Sequence, residues 1–285
     1  MKTNQKNTKL NIAKSNKNDE FYTLYQDIEK ELQNYTDYFK NKVIYCNCDD
    51  PEFSNFWKYF NDNFTKFKIK KLYATYLNNQ ESFLYEKTNE GIKKTKLKGN
   101  GDFRNFECIE VLKKSDIIIT NPPFSLIINF FQILIESNKK FIFLSPVSTF
   151  TNKHFFKEFK NNNISTGFQK ISWFISPNGE KLSAGAIWLT NFKIDKPLIQ
   201  LTKKLDDLDS YFICNNNLWI KRTNDIPQDY YNLILVPITY LCKHDYTKFE
   251  LLSIVVPTIN DKKEFRRILI KRIKENNTEK ENTLF

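Results

Sequence analysis

The run Asp116-Ile-Ile-Ile-Thr-Asn-Pro-Pro-Phe124 constrains this chain more than any other stretch of it. Three consecutive isoleucines between polar residues read as a short strand buried on both faces, as in a parallel sheet covered by helices. Two prolines then end the strand. Each fixes its own φ at about −65° and lacks a backbone donor, and the first pushes the preceding residue out of helical geometry. The Asn121 amide is thereby aimed in one direction just past a strand end, the place where open α/β sheets bind ligands. A rigid turn after a buried strand is the plainer reading of the same residues, and the rest of the chain has to decide between the two.

The surrounding pattern alternates strand with helix. Tyr22, Tyr25, Ile28, Leu32 and Tyr35 fall at three- and four-residue spacing and predict an amphipathic helix beginning near Asp19. Lys42–Cys46 predicts a strand closed by Asn47-Cys48-Asp49-Asp50-Pro51, Phe53–Phe64 a helix, and Lys68–Leu77 a second strand. The polar stretch 77–100 predicts a hairpin or surface loop, closed by Gly101-Asp102-Phe103. A helix through Cys108–Lys113, the strand Asp116–Thr120, a helix over Leu126–Glu136 and the strand Lys140–Leu144 continue the alternation. The expected fold class is therefore α/β, a mostly parallel sheet with helices on its faces. Beyond Ser145 the rhythm changes: Phe155 and Phe159 predict one more helix, and Thr166–Ser176 and Ala184–Phe192 predict longer, antiparallel strands. The expected organisation is a basic arm over residues 1–18, disordered or trailing along DNA, an α/β region over 19–200, and a smaller, irregular, basic region over 201–285.

Lys and Arg outnumber Asp and Glu by 44 to 33, a formal charge of +11 that favours a polyanionic partner through phosphate neutralisation. Six glycines cannot be assembled into G-x-G-x-x-G or G-x-x-x-x-G-K-[ST], which excludes two common nucleotide-binding loops. Cys46, Cys48, Cys108, Cys214 and Cys242 are odd in number and lack paired C-x-x-C spacing, so reduced thiols are expected and no metal site. His154 and His244 are isolated and expected to be structural, and Trp173, Trp188 and Trp219 are expected in the core. With neither a signal-peptide core nor an apolar run of about 20 residues, the expectation is a soluble, cytoplasmic protein with no membrane partner.

A side-chain amide oxygen beside a backbone carbonyl makes two acceptors, the arrangement that grips an NH2 group on an aromatic base. The lone pair of such an amine is delocalised into the ring, and two accepted hydrogen bonds favour a pyramidal nitrogen whose lone pair faces an electrophile. Asn121 and the Pro122 carbonyl can provide the acceptors, and Phe124 can stack on a base flipped out of a duplex. Asn121-Pro-Pro-Phe124 resembles the [DNS]-P-P-[YFW] motif of amino-directed DNA methyltransferases, and the chain as a whole is similar to the EcoRI-type adenine methyltransferase family. The likeness runs from Lys17–Thr23 through Val43–Phe60, Gly101–Phe103 and the Asn121 motif to Trp188–Phe192, Val236–Leu241 and Arg266–Arg272.

That resemblance implies a Rossmann-like methyltransferase fold, S-adenosyl-L-methionine as cofactor and double-stranded DNA as partner. It implies cofactor contacts from Phe21, Tyr22 and Thr23, from Asp49, Asp50, Pro51, Ser54, Asn55 and Phe56 in place of a glycine-rich loop, and from Asp102, Phe103 and Asn121. Residues 19–200 would be the catalytic domain and 201–285 the target-recognition region, with Arg266, Arg267, Lys271 and Arg272 meeting phosphates, although an ordinary solvated edge reads equally well there. The second strand lacks the acid that many methyltransferases use for the ribose, so Asp49, Asp50, or Thr75 with Tyr76 would serve. Asn191 stands out only through the resemblance. A site-specific enzyme acting as a monomer, with any cognate restriction endonuclease working separately, is the expectation. A protein glutamine-amide methyltransferase and a catalytically silent DNA-binding protein are the rivals.

Overall fold

The computed structural model describes residues 23–176, 179–208, 211–214, 216–259 and 262–273. The predicted arm over residues 1–18, and Phe21 and Tyr22, lie outside the described residues. The chain divides into two compact units, one of residues 1–149 and 164–194, the other of residues 150–163 and 195–285.

The first unit is built on an eight-stranded sheet. Its strands are β1 (Val43–Cys46), β2 (Lys71–Ala74), β3 (Phe83–Thr88), β4 (Gly91–Lys96), β5 (Ile117–Thr120), β6 (Lys140–Pro146), β7 (Ser165–Ile175) and β8 (Lys181–Thr190), in spatial order 4-3-2-1-5-6-8-7. The four central strands β2, β1, β5 and β6 are parallel. The β3–β4 hairpin, which is where the polar stretch 77–100 leads, adds antiparallel at one edge, and β8 and β7 add antiparallel at the other. Strand order reverses between β1 and β5, so the loops leaving those two strands diverge from one crevice, the topological switch point of such sheets. All four residues of β5 are buried, its three isoleucines covered on both faces and Thr120 with them.

Helices α1 (Tyr25–Leu32), α2 (Asn55–Asp62), α3 (Phe106–Lys114) and α4 (Ile127–Ser137) accompany this sheet. Ser54 caps α2, its hydroxyl accepting from the Phe56 and Trp57 amides, and the helix buries Phe56, Trp57, Tyr59 and Phe60 in the core. In α1 the charged Glu31 is fully buried. Its carboxylate accepts from the Phe168 and Gln169 amides at 3.0 and 2.8 Å and from the Tyr35 hydroxyl at 2.9 Å. Those two amides lie where the β7–β8 register slips between Thr166 and Lys170, so Glu31 satisfies donors that the ladder leaves over. Gly167 permits the approach: a Cβ there would sit 2.1 Å from Glu31 Oε1.

Asn191 stitches the β6 edge, accepting from the Phe141 amide at 2.9 Å and donating to the Lys139 carbonyl at 2.8 Å. Trp188 and Trp219 are buried, but Trp173 is half exposed, against expectation. It sits on the sheet's outermost strand, and a second register slip, between Ile171 and Trp173, leaves Phe174 rather than Trp173 fully buried.

The second unit holds α5 (Lys153–Lys160) and a five-stranded sheet joined by long irregular connections. In spatial order its strands are Phe249–Val255, Arg267–Arg272, Ile234–Pro237, Asn217–Trp219 and Phe212–Cys214. The basic Arg267–Arg272 segment is thus a strand paired on both sides, with Ile268 and Ile270 fully buried. His244 is buried there with Nδ1 2.9 Å from the Tyr240 hydroxyl, and burial lowers its pKa to about 4, which keeps the ring neutral near pH 7. Among the described residues no helix is long and apolar enough to cross a membrane.

Candidate active site

Thr120, the last residue of β5, is fully buried, and the chain beyond it is held by its two prolines and a short 3-10 turn over Phe124–Leu126 that leads into α4. Pro123 is extended at φ −62° and ψ 123°, and its carbonyl accepts from the Leu126 amide at 3.0 Å. Asn121 is half-buried at this strand end. Phe124 is also half-buried, edge-on to Phe174 with ring centroids 5.8 Å apart, so one side of the ring is fixed by the core.

The loop after β1 lies next to it. Asp49 is buried, and its carboxylate accepts from Ser54 Oγ at 2.7 Å, from Thr120 Oγ1 at 2.5 Å and from the backbone N–H of Asn121. Asp50 is half-buried and turns the chain, its Oδ1 accepting from the Glu52 amide at 2.9 Å and its carbonyl from the Ser54 amide at 2.7 Å. Burial raises the Asp50 pKa. Pro51 is half-buried, whereas Phe56 is buried against Trp188 at 5.7 Å and faces the core. Asn55 donates to the Thr23 carbonyl at 2.7 Å and ties the segment before α1 to the start of α2.

At the end of β2, Thr75 is buried with its hydroxyl 2.6 Å from that of Tyr45, and Tyr76 is half-buried. The chain returns from the β3–β4 hairpin through Gly101, whose φ of +77° and closeness to the Tyr76 carbonyl leave no room for a side chain. A Cβ there would lie 2.0 Å from that oxygen. Gly101→Ala is expected to cost about 2 kcal/mol of stability and to weaken cofactor binding at least roughly tenfold. Thermal melting and calorimetry check the two effects. Asp102 accepts from Arg104 Nε and from the Arg104 amide, both at 2.9 Å, and the guanidinium holds its pKa below the usual carboxylate value. Phe103 is buried edge-on to Phe130 at 5.3 Å.

Asp50, Tyr76, Asp102 and Asn121 are thus half-buried polar residues gathered at the carboxyl ends of β1, β2 and β5, with Asn121 Oδ1 itself shielded from solvent, while Asp49, Thr75, Phe56 and Phe103 are buried around them. S-adenosylmethionine fits this set: it offers hydroxyls and amines, and the site offers carboxylate acceptors. The Thr23 hydroxyl, buried and without a hydrogen-bond partner in the described structure, is a further group suited to a polar ligand. Thr120, immediately before the Asn-Pro-Pro motif, is a site residue that hydrophobic periodicity does not mark. Its signal was a hydroxyl in an otherwise apolar strand. Among the described residues no group of His, Cys, Asp or Glu gathers as metal ligands.

Two of the four predicted phosphate contacts, Arg267 and Arg272, are half-buried and packed against aromatic rings of the second unit, and Arg266 is exposed. Arg267 lies over Trp219 at 4.6 Å and donates to the Ile220 carbonyl at 2.9 Å, Arg272 lies over Tyr231 and donates to the Gln228 carbonyl, and Arg266 donates to Thr151 Oγ1 at 3.0 Å. Lys271 is exposed.

A central parallel sheet with an acidic loop after β1, a rigid Asn-Pro-Pro-Phe after β5 and carboxylates at the strand ends defines an S-adenosylmethionine-dependent methyltransferase. The chain belongs to the adenine-specific methyltransferase EcoRI family, whose profile matches residues 9–91 and 85–284. It is 38% identical to the Type II methyltransferase M.EcoRI of Escherichia coli, across 95% of this chain and 98% of that protein. It is 32% identical to the Type II methyltransferase M.MgeORF184P of Mycoplasma genitalium across 92% and 98%, and 34% identical to M.MpnI of Mycoplasma pneumoniae across 86% and 85%. No solved structure matches it. Membership makes the chain a DNA methyltransferase that uses S-adenosylmethionine.

Proposed function

We propose that this chain methylates the exocyclic amino group of adenine within a specific duplex sequence. The observation that carries the reading is the Asn121-Pro-Pro-Phe124 turn fixed at the switch point of the sheet. When bound, S-adenosylmethionine supplies a sulfonium methyl as electrophile. The chain's own residues bind and orient. Asn121 Oδ1 and the Pro122 carbonyl accept from the amine and direct its lone pair, and Phe124, braced by Phe174, stacks on the flipped base. No general base is needed before attack, because the proton leaves the nitrogen afterwards.

For the cofactor, Thr23 and Asn55 serve one end and Asp102 the other. Asp50 with Tyr76 takes the place of the missing second-strand acid, because Asp49 and Thr75 are already engaged inside the fold. The +11 charge supports a DNA partner, and exposed Arg266 and Lys271 are the predicted phosphate contacts best placed for a salt-dependent role. The enzyme works as a cytoplasmic monomer, with any cognate endonuclease acting separately. Modification-sensitive sequencing of DNA from cells expressing the chain tests the whole reading. N6-methyladenine at one recurring sequence is expected, and DNA without methylated adenine would overturn it.

A further inference from the structure

Asp49 is an unusual residue to bury. Its carboxylate is shielded from solvent, and no cation is among the groups that shift it in the described residues. Around it are Cys46 and Cys48, whose thiols burial keeps protonated, Asp50 from its own loop, and the hydroxyls of Ser54 at the start of α2 and Thr120 at the end of β5. Asp102 acts on the Cys48 thiol, raising its pKa further. Three uncharged donors therefore hold the ion: Ser54 Oγ, Thr120 Oγ1 and the Asn121 amide. They come from the N-cap of the helix behind the cofactor loop and from two successive residues of the catalytic turn. A neutral pair of apolar residues would fill the same space without the desolvation cost, so stability alone does not account for the arrangement.

We infer that Asp49 is a positioning residue, whose carboxylate clasps the Asn121 turn to the cofactor loop and so sets where the Asn121 acceptor stands. The inference rests on the proposed function for its kinetic consequence, but the clasp itself is readable without turnover. Only an ionised carboxylate can accept from all three donors at once, because an amide turns its NH2 toward one of them. Burial raises the Asp49 pKa to about 6, with Thr120, Ser54 and Asn121 each pulling it back down. Protonation below that pH loosens the clasp. Because the folded pKa of about 6 lies above the ordinary 3.8, ionisation costs stability progressively as pH rises between those values and in full above about 6, so removing the charge does not destabilise the fold on electrostatic grounds.

The test compares the full chain with Asp49→Asn, Thr120→Val and Thr120→Ser. Hydrogen exchange of the peptide spanning Thr120–Leu126 is expected to speed up at least roughly tenfold in Asp49→Asn, with S-adenosylmethionine affinity within about threefold of wild type. On duplex DNA, kcat is expected to fall about 10- to 100-fold while KM for DNA stays near its wild-type value. The wild-type rate is expected to drop as pH falls through about 6, and this acid limb is absent in Asp49→Asn. In Thr120→Val, which removes one donor, the limb moves to higher pH, and Thr120→Ser recovers most of the lost rate. Unchanged exchange in Asp49→Asn would overturn the inference, as would a loss of rate that follows only the fraction unfolded in a thermal melt. A wild-type chain that methylates no adenine yet shows the exchange change would overturn the proposed function and leave the clasp standing.

Discussion

Asn121→Ala is expected to lower kcat roughly 10²- to 10³-fold, equivalent to about 3–4 kcal/mol of transition-state stabilisation. The side chain stands at a strand end whose backbone direction is set by Pro122 and Pro123 and whose backbone N–H is held by Asp49, so the deletion removes an acceptor without moving its supports. Cofactor affinity, measured by calorimetry, should change little, because Asp50 after β1, Tyr76 after β2 and Asp102 are untouched. Asn121→Asp keeps an acceptor at the same position and is expected to lose less. Single-turnover rates on a duplex containing the recognised sequence separate the variants, and an alanine variant that turns over like wild type would remove the Asn121 acceptor from the mechanism. The loss should appear in kcat and in kcat/KM alike, the signature of an interaction made mainly in the transition state.

Much of this site could be read before any coordinates. Three isoleucines in a row demanded a strand covered on both faces, and two prolines demanded its end, so β5 and the position of Asn121 followed from elementary backbone chemistry. The parallel centre of the sheet followed from alternation, since parallel neighbours need a crossover and helical periodicity supplied one each time. Less accessible were pairings between residues far apart in the chain. Asp49 and Ser54 looked like cofactor residues of one loop, but the partner that turns Asp49 inward, Thr120, is 71 positions away. Phe56 and Phe103 carried the right aromatic character for a cofactor contact, and only packing against Trp188 and Phe130 shows that both rings face the core. The arginines of the terminal strand were legible as charge but not as hydrogen-bond donors to the Ile220 and Gln228 carbonyls, because a paired strand alternates its faces and helical or strand character was undecided there.

Glu31 is the residue whose importance the sequence hides most completely, and Glu31→Ala is expected to destabilise the protein by about 3–5 kcal/mol. In the amphipathic pattern of α1 a glutamate reads as part of the solvated face. Its side chain instead reaches the β7 irregularity and accepts from Phe168, Gln169 and Tyr35. Alanine would take the carboxylate acceptor away from those three donors, and the lost contact would free α1 from the outermost strand of the sheet. At about 2–4 °C per kcal/mol for a protein of this size, the expected fall in melting temperature is roughly 6–20 °C. Glu31→Gln retains one oxygen and should lose less than half of that. Because α1 follows directly on Thr23, whose carbonyl holds Asn55, the same variant should also weaken S-adenosylmethionine binding at temperatures where the protein remains folded. Differential scanning calorimetry with and without cofactor reads both effects. A melting temperature within 2 °C of wild type, roughly the shift that 1 kcal/mol produces, would show that water replaces the carboxylate at little cost.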